Sequence, residues 1–158
     1  MTAKRSKRPE QSDGGDDREL VFARALNLLA RREHSRQELR AKLVQRGVPE
    51  ALAEAVTGEL VERNLLNEGR FIEAFVRSRV ERGYGPLKIE AELRARGIAE
   101  GVSAHLFDWI ALARGARDRR FGRDHPRDWR ERARQMRFLQ QRGFDGSQIR
   151  AVFTGIDD

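Results

Sequence analysis

The chain has 158 residues, no cysteine and a net charge of +7. Disulfides and thiolate metal sites are thereby excluded, and a cytoplasmic protein is the simple reading. No apolar run approaches the roughly 20 residues of a membrane span, and the N-terminus carries no apolar core of the secretory type.

Residues 1–18 are polar, basic at first and then acidic, without periodicity, and are expected to be a disordered tail. From Glu19 to Arg32, Leu20, Ala23, Leu26, Leu29 and Ala30 fall on one helical face. Ser35 with Glu38 three residues on forms a capping box for a second helix, which ends at Arg46; Gly47 supplies the left-handed stop and Val48 its apolar follower. Pro49 suits the first turn of a third helix carrying Leu52, Ala55, Val56, Leu60 and Val61.

The cycle then restarts. A helix over 68–82 presents Phe71, Ile72, Phe75, Val76 and Val80, and Gly83-Tyr84-Gly85-Pro86 breaks it. Pro86 opens a helix closed by Gly97 and Ile98, and a third helix is expected over roughly 100–107 with Val102 and Leu106 apolar. In the last cycle Asp108 caps a helix running to Phe121-Gly122. Pro126 opens a long Arg-rich helix closed by Gly143 and Phe144, and Asp145 with Gln148 caps a final helix to Phe153.

Gly47, Gly97 and Gly143 recur at nearly constant spacing, each followed by an apolar residue, with Val56, Leu106 and Val152 nine positions beyond. No alternating run reads as a strand. The expected fold is all-α: three tandem three-helix repeats, 19–66, 67–107 and 108–155, forming an elongated or curved array. Units of this size bury too little surface to offset their chain entropy alone and need their neighbours.

Catalytic and cofactor constellations are missing. His34, His105 and His125 fall in different repeats without ligand spacing, Gly83-Tyr84-Gly85-Pro86 lacks the Lys-Ser/Thr of a phosphate loop, and no serine has a nucleophile-elbow context. Neither an enzyme nor a cofactor is expected. His34 is placed at a helix end, where a histidine meets exposed carbonyls.

Charge is more informative. Residues 113–142 hold eleven arginines against four acids, whereas 1–112 hold twenty basic and eighteen acidic residues. Arginine outnumbers lysine 28 to 4, which a GC-rich coding bias explains, but bias does not explain the clustering. Clustering points to an anionic partner: phosphates or an acidic protein groove. Arg70, Arg77, Arg79 and Arg82 ring the apolar face of 68–82, and Arg114, Arg117, Arg119, Arg120 and Arg123 do likewise further on. The plainer alternative is a solvated face whose arginine stems cover the core edge. Tyr84 either stacks on a base or packs on the following helix.

Leu66-Asn67-Glu68-Gly69-Arg70-Phe71-Ile72-Glu73-Ala74-Phe75-Val76-Arg77-Ser78-Arg79, with Arg82-Gly83-Tyr84-Gly85-Pro86-Leu87-Lys88-Ile89, resembles the central signature of the RecX family, bacterial regulators of RecA recombinase. Residues 25–39 and Phe138-Leu139-Gln140-Gln141-Arg142-Gly143-Phe144 are similar to its outer repeats. Gly69 and Ile72 depart from the usual pattern, and Gly69 weakens a first helical turn. The resemblance implies a non-enzymatic modulator that binds along the groove of the RecA–single-stranded-DNA filament. It restrains filament growth and lowers ATPase, strand-exchange and coprotease activities. The RecA- and DNA-binding candidates are Arg70, Arg77, Arg79, Arg82, Tyr84, Lys88, Arg117, Arg120 and Arg123, on a protein taken as a monomer with no membrane partner. The alternatives are a helical repeat protein acting alone on duplex DNA in the manner of helix-turn-helix modules, and a scaffold with no DNA role.

Overall fold

The structure, a computed structural model, describes residues 14–99, 102 and 107–154. Among them are eight helices and no strand: α1 (Gly14–Arg31), α2 (Arg36–Gln45), α3 (Glu50–Glu62), α4 (Glu68–Glu81), α5 (Pro86–Ala95), α6 (Trp109–Phe121), α7 (Trp129–Arg142) and α8 (Gly146–Phe153). The tail expected over 1–18 lies outside the described residues as far as residue 13, and its residues 14–18 are helical, so that α1 begins at Gly14 and not at Glu19. The helix expected over 100–107 also lies outside them, apart from buried Val102 and half-buried Phe107.

The repeated glycine stops share one geometry. Val48 N–H donates to the Leu43 carbonyl and Gly47 N–H to that of Val44, both at 3.0 Å. Ile98 with Leu93 and Phe144 with Leu139 repeat the pairing. These bonds satisfy carbonyls that the helix end leaves open. They also fold each apolar follower back onto a leucine: Leu43, Leu93 and Leu139 are fully buried, and Val48, Ile98 and Phe144 nearly so.

Two further helix starts differ from expectation. At α2 only half of the capping box forms: Ser35 Oγ accepts from Glu38 N–H at 3.1 Å. The Glu38 carboxylate turns instead to Arg32 and to Lys42, where full charges outcompete a backbone N–H. The Arg-rich helix α7 starts at Trp129 and not at Pro126. Asp128 is extended there and its carboxylate accepts from Glu131 N–H at 2.9 Å, a bond that proline cannot supply.

The chain forms two compact units, residues 1–68 and 69–158. In the first, α1 packs on α2 and α3, burying Val21, Ala25 and Leu28 against Leu39, Leu43, Val56 and Leu60. His34, at the α1–α2 joint, is fully enclosed: its Nδ1–H donates to the Arg32 carbonyl and its Nε2 accepts from Lys42 Nζ, each at 3.0 Å. Burial above all, then the neighbouring charges of Arg32 and Lys42, pushes the imidazole below its ordinary value, against opposing contributions from the Arg32 carbonyl and Glu38.

In the second unit, one core joins α4 and α5 (Phe71, Phe75, Ile89, Leu93) to α6, α7 and α8 (Trp109, Ala113, Leu139, Ile149, Phe153). Its closest approach is between backbones. Gly85 N–H donates to the Arg142 carbonyl at 2.7 Å and Leu87 N–H to that of Gly143 at 2.9 Å. A Cβ on Gly85 would lie 2.5 Å from Gly143 C and Phe144 N. A Cβ on Gly143 would lie 2.6 Å from Lys88 N.

Two predictions follow from these contacts. Gly47 and Gly143 have similar positive φ, 89° and 98°, but nothing lies within 4 Å of a Cβ at Gly47. Gly47→Ala should therefore cost only the left-handed strain, about 1–2 kcal/mol, whereas Gly143→Ala should add overpacking for a total of about 2–5 kcal/mol. Urea denaturation of the two variants measures the difference. Because the folded state lowers the His34 pKa, the unfolded chain binds more protons as pH falls through about 6.5. Stability present at pH above 7 should decline toward pH 5.5, and His34→Gln should flatten that decline in urea midpoints.

Candidate nucleic-acid interface

The nine candidate residues have different surroundings. Arg79, at the end of α4, is mostly enclosed: its Nε donates to Glu92 of α5 at 2.6 Å, and its guanidinium lies 4.3 Å from the Phe75 ring centroid. Arg117 of α6 is buried, with Nε and Nη2 on Asp118 Oδ1 at 3.0 and 2.7 Å and Nη2 on the Arg123 carbonyl at 3.4 Å. Both cations hold elements together. Arg77 pairs along α4 with Glu73 at 3.1 Å, in an exposed i,i+4 bridge of little energetic weight. Arg70 is half-buried and engaged within the protein, and Arg123 is exposed.

Arg82, Tyr84, Lys88 and Arg120 come together around a residue absent from the candidate set, Arg142. The docking of Gly85 on the end of α7 brings them there. Arg142 Nη1 donates to the Arg82 carbonyl at 3.3 Å. Its guanidinium lies 5.1 Å from the Phe138 ring and 5.4 Å from that of Tyr84, and Lys88 Nζ sits 4.3 Å from the same tyrosine ring. Tyr84 therefore serves as a platform for two cations of its own chain.

Beside this stack is a cleft of about 170 Å³ lined by Arg82, Arg119, Arg120 and Arg142 with Gly83, Ala116 and Phe138, and by no carboxylate. Four arginines line one small space with no acid among them, and an anion seated there would be attracted by all four. Their planar, forked donors suit the paired oxygens of a phosphate. Arg119, Phe138 and Arg142 are absent from the candidates read from the sequence, although the sequence places Arg119 at the edge of its helix's apolar face. A signal did exist: arginine precedes each glycine stop, as Arg46, Arg96 and Arg142. Within the second unit, Arg96 packs on the Phe75 ring of α4 at 4.6 Å, whereas the Gly85 contact brings Arg142 to the Arg82 carbonyl just beyond α4.

Known proteins resemble the whole of this architecture. Family models described as the first, second and third three-helix domains of RecX match residues 22–60, 67–104 and 108–153. The chain is 50% identical over 152 residues to a protein named Regulatory protein RecX from Halorhodospira halophila, covering 93% of this chain and 94% of that one. It is 43% identical over 138 residues to the protein of the same name from Pseudomonas entomophila, covering 84% and 89%. The crystal structure of RecX from Lactobacillus salivarius has the same fold, with a TM-score of 0.75 at 22% identity over 90% of this chain and 98% of that one. The chain belongs to the RecX family of regulatory proteins.

Proposed function

We propose that this protein regulates RecA recombinase by binding the RecA–single-stranded-DNA filament. It restrains filament growth and lowers the ATPase, strand-exchange and coprotease activities, with no reaction or cofactor of its own. The match to three RecX domains across residues 22–153 carries this reading. The carboxylate-free arginine cleft supports it, because a filament built on DNA offers the phosphates such a cleft selects. Among the described residues no helix is long and apolar enough to cross a membrane, and we infer a cytoplasmic monomer. Several modest contacts along a repetitive filament combine into useful affinity without one dominant site.

RecA-dependent ATPase on single-stranded DNA should fall as this protein is added. Unchanged turnover at excess protein and low salt would remove the reading. Arginines with different surroundings should respond differently. Arg119→Ala with Arg120→Ala should weaken inhibition and reduce the salt dependence of binding by about one slope unit per arginine, with helix content intact. Arg117→Ala should instead lower folding stability by about 1–3 kcal/mol, visible in thermal unfolding without any partner.

A further inference from the structure

Trp129 is the most exposed large apolar side chain of the described residues, at 74%. An indole left in water on the first residue of a helix contributes nothing to the core, whereas Trp109, the chain's other tryptophan, is buried. Its surroundings are cationic. Arg130 lies 5.5 Å from the Trp129 ring centroid. Arg127, Asp128 and Arg130, its neighbours in the chain, line a groove of about 650 Å³ together with Phe121, Arg134 and Arg137.

Three carboxylates, Asp124, Asp128 and Glu131, border the groove beside four arginines, and two of the three make bonds to groups of α7. Asp128 accepts the capping bond from Glu131 N–H at 2.9 Å. Glu131 accepts from Gln135 Nε2 at 3.3 Å and pairs with Arg134 at 3.6 Å. Asp124 is the remaining carboxylate of a lining that also holds Arg127, Arg130 and Arg137. The groove adjoins the arginine cleft through one aromatic contact. Phe121 lines the groove, Phe138 lines the cleft, and their rings meet edge to face at 5.3 Å. Arg120 and Arg134 lie 5.3 and 5.4 Å from the Phe121 ring.

We propose that Trp129 is a stacking platform for an unpaired base of a single-stranded nucleic acid, whose flanking phosphates lie on Arg127 and Arg130 and run toward the arginine cleft. The interleaving of rings and guanidinium groups has the pattern of single-strand binding surfaces. Bases inside a duplex present edges and not faces, so the indole favours single strands, while the cleft's arginines attract either form. This rests on the nucleic-acid part of the proposed function and adds to it the residue that separates single strand from duplex.

Tryptophan emission and the anisotropy of labelled DNA test the site in the full chain. A dT oligonucleotide should quench the wild-type emission, and a blunt-ended duplex without a loop, with as many phosphates, should leave it unchanged. Trp129→Leu, an exposed change that keeps Trp109 emission as a check on folding, should weaken dT binding about tenfold and duplex binding about twofold or less. Equal loss for both DNAs, or unchanged emission at saturating dT, overturns the proposal. If Trp129→Leu binds dT normally yet no longer inhibits RecA ATPase, Trp129 faces protein; the proposal fails and the filament reading survives. Selective loss of dT binding, in a protein whose wild type does not affect RecA, supports the stacking site and removes the filament reading.

Discussion

Two backbone hydrogen bonds seat the start of α5 on the end of α7, and the second unit is arranged around them. They form only because neither Gly85 nor Gly143 carries a Cβ. An ordinary helix contact holds helix axes about 8–10 Å apart through side chains; here a helix start meets a helix end with no side chain between. The contact closes the shared core over Phe144 and Leu139, both fully or almost fully buried. It also sets the position of Arg142, whose carbonyl takes part in the contact and whose guanidinium reaches the Arg82 carbonyl. Fold and candidate site thus depend on the same two glycines, so damage there would impair both.

Arginine does three jobs in this protein, and composition alone does not separate them. Arg79 and Arg117 are enclosed by carboxylate and aromatic neighbours and tie helices or turns together. Arg77 pairs one turn back along its own helix. Arg82, Arg119, Arg120 and Arg142 face a cleft that has no acid. The difference lies in the partner each meets. Glu92 is thirteen residues from Arg79 and belongs to another helix, and no local pattern announces that pairing.

Much of the architecture was legible because its signals are local. A glycine stop, its apolar follower and the leucine beneath them lie within six residues, and all three copies fold as their spacing implies. Asp108 and the Asp145–Gln148 box cap α6 and α8 as read. Local competition misled at Pro126, where Asp128 two residues later offered a better cap, and at Glu38, where Arg32 and Lys42 drew the carboxylate away. The site was less legible because it is assembled at long range. Arg82 and Arg142 are sixty residues apart. Gly83-Tyr84-Gly85-Pro86 looked like a turn, and its second role as a docking surface depends on a partner segment that no spacing identifies.

The two units also divide the electrostatic work. Residues 1–68 hold thirteen basic and twelve acidic residues, and residues 69–158 nineteen and thirteen. Among the described residues of the first unit, six cations share three glutamates: Arg18 and Arg63 meet Glu59, Arg36 and Arg40 meet Glu54, and Arg32 and Lys42 meet Glu38. Such bridges add little stability individually, and it is the near balance of thirteen basic against twelve acidic residues that leaves a distant anion little net field. The second unit's excess is uncancelled at the cleft. At physiological salt, fields fade over about 8 Å, so attraction to a polyanion is a property of that face and not of the whole chain. Raising salt should therefore weaken the second unit's contacts most, leaving any contact made by the first unit to rest on shape and apolar burial.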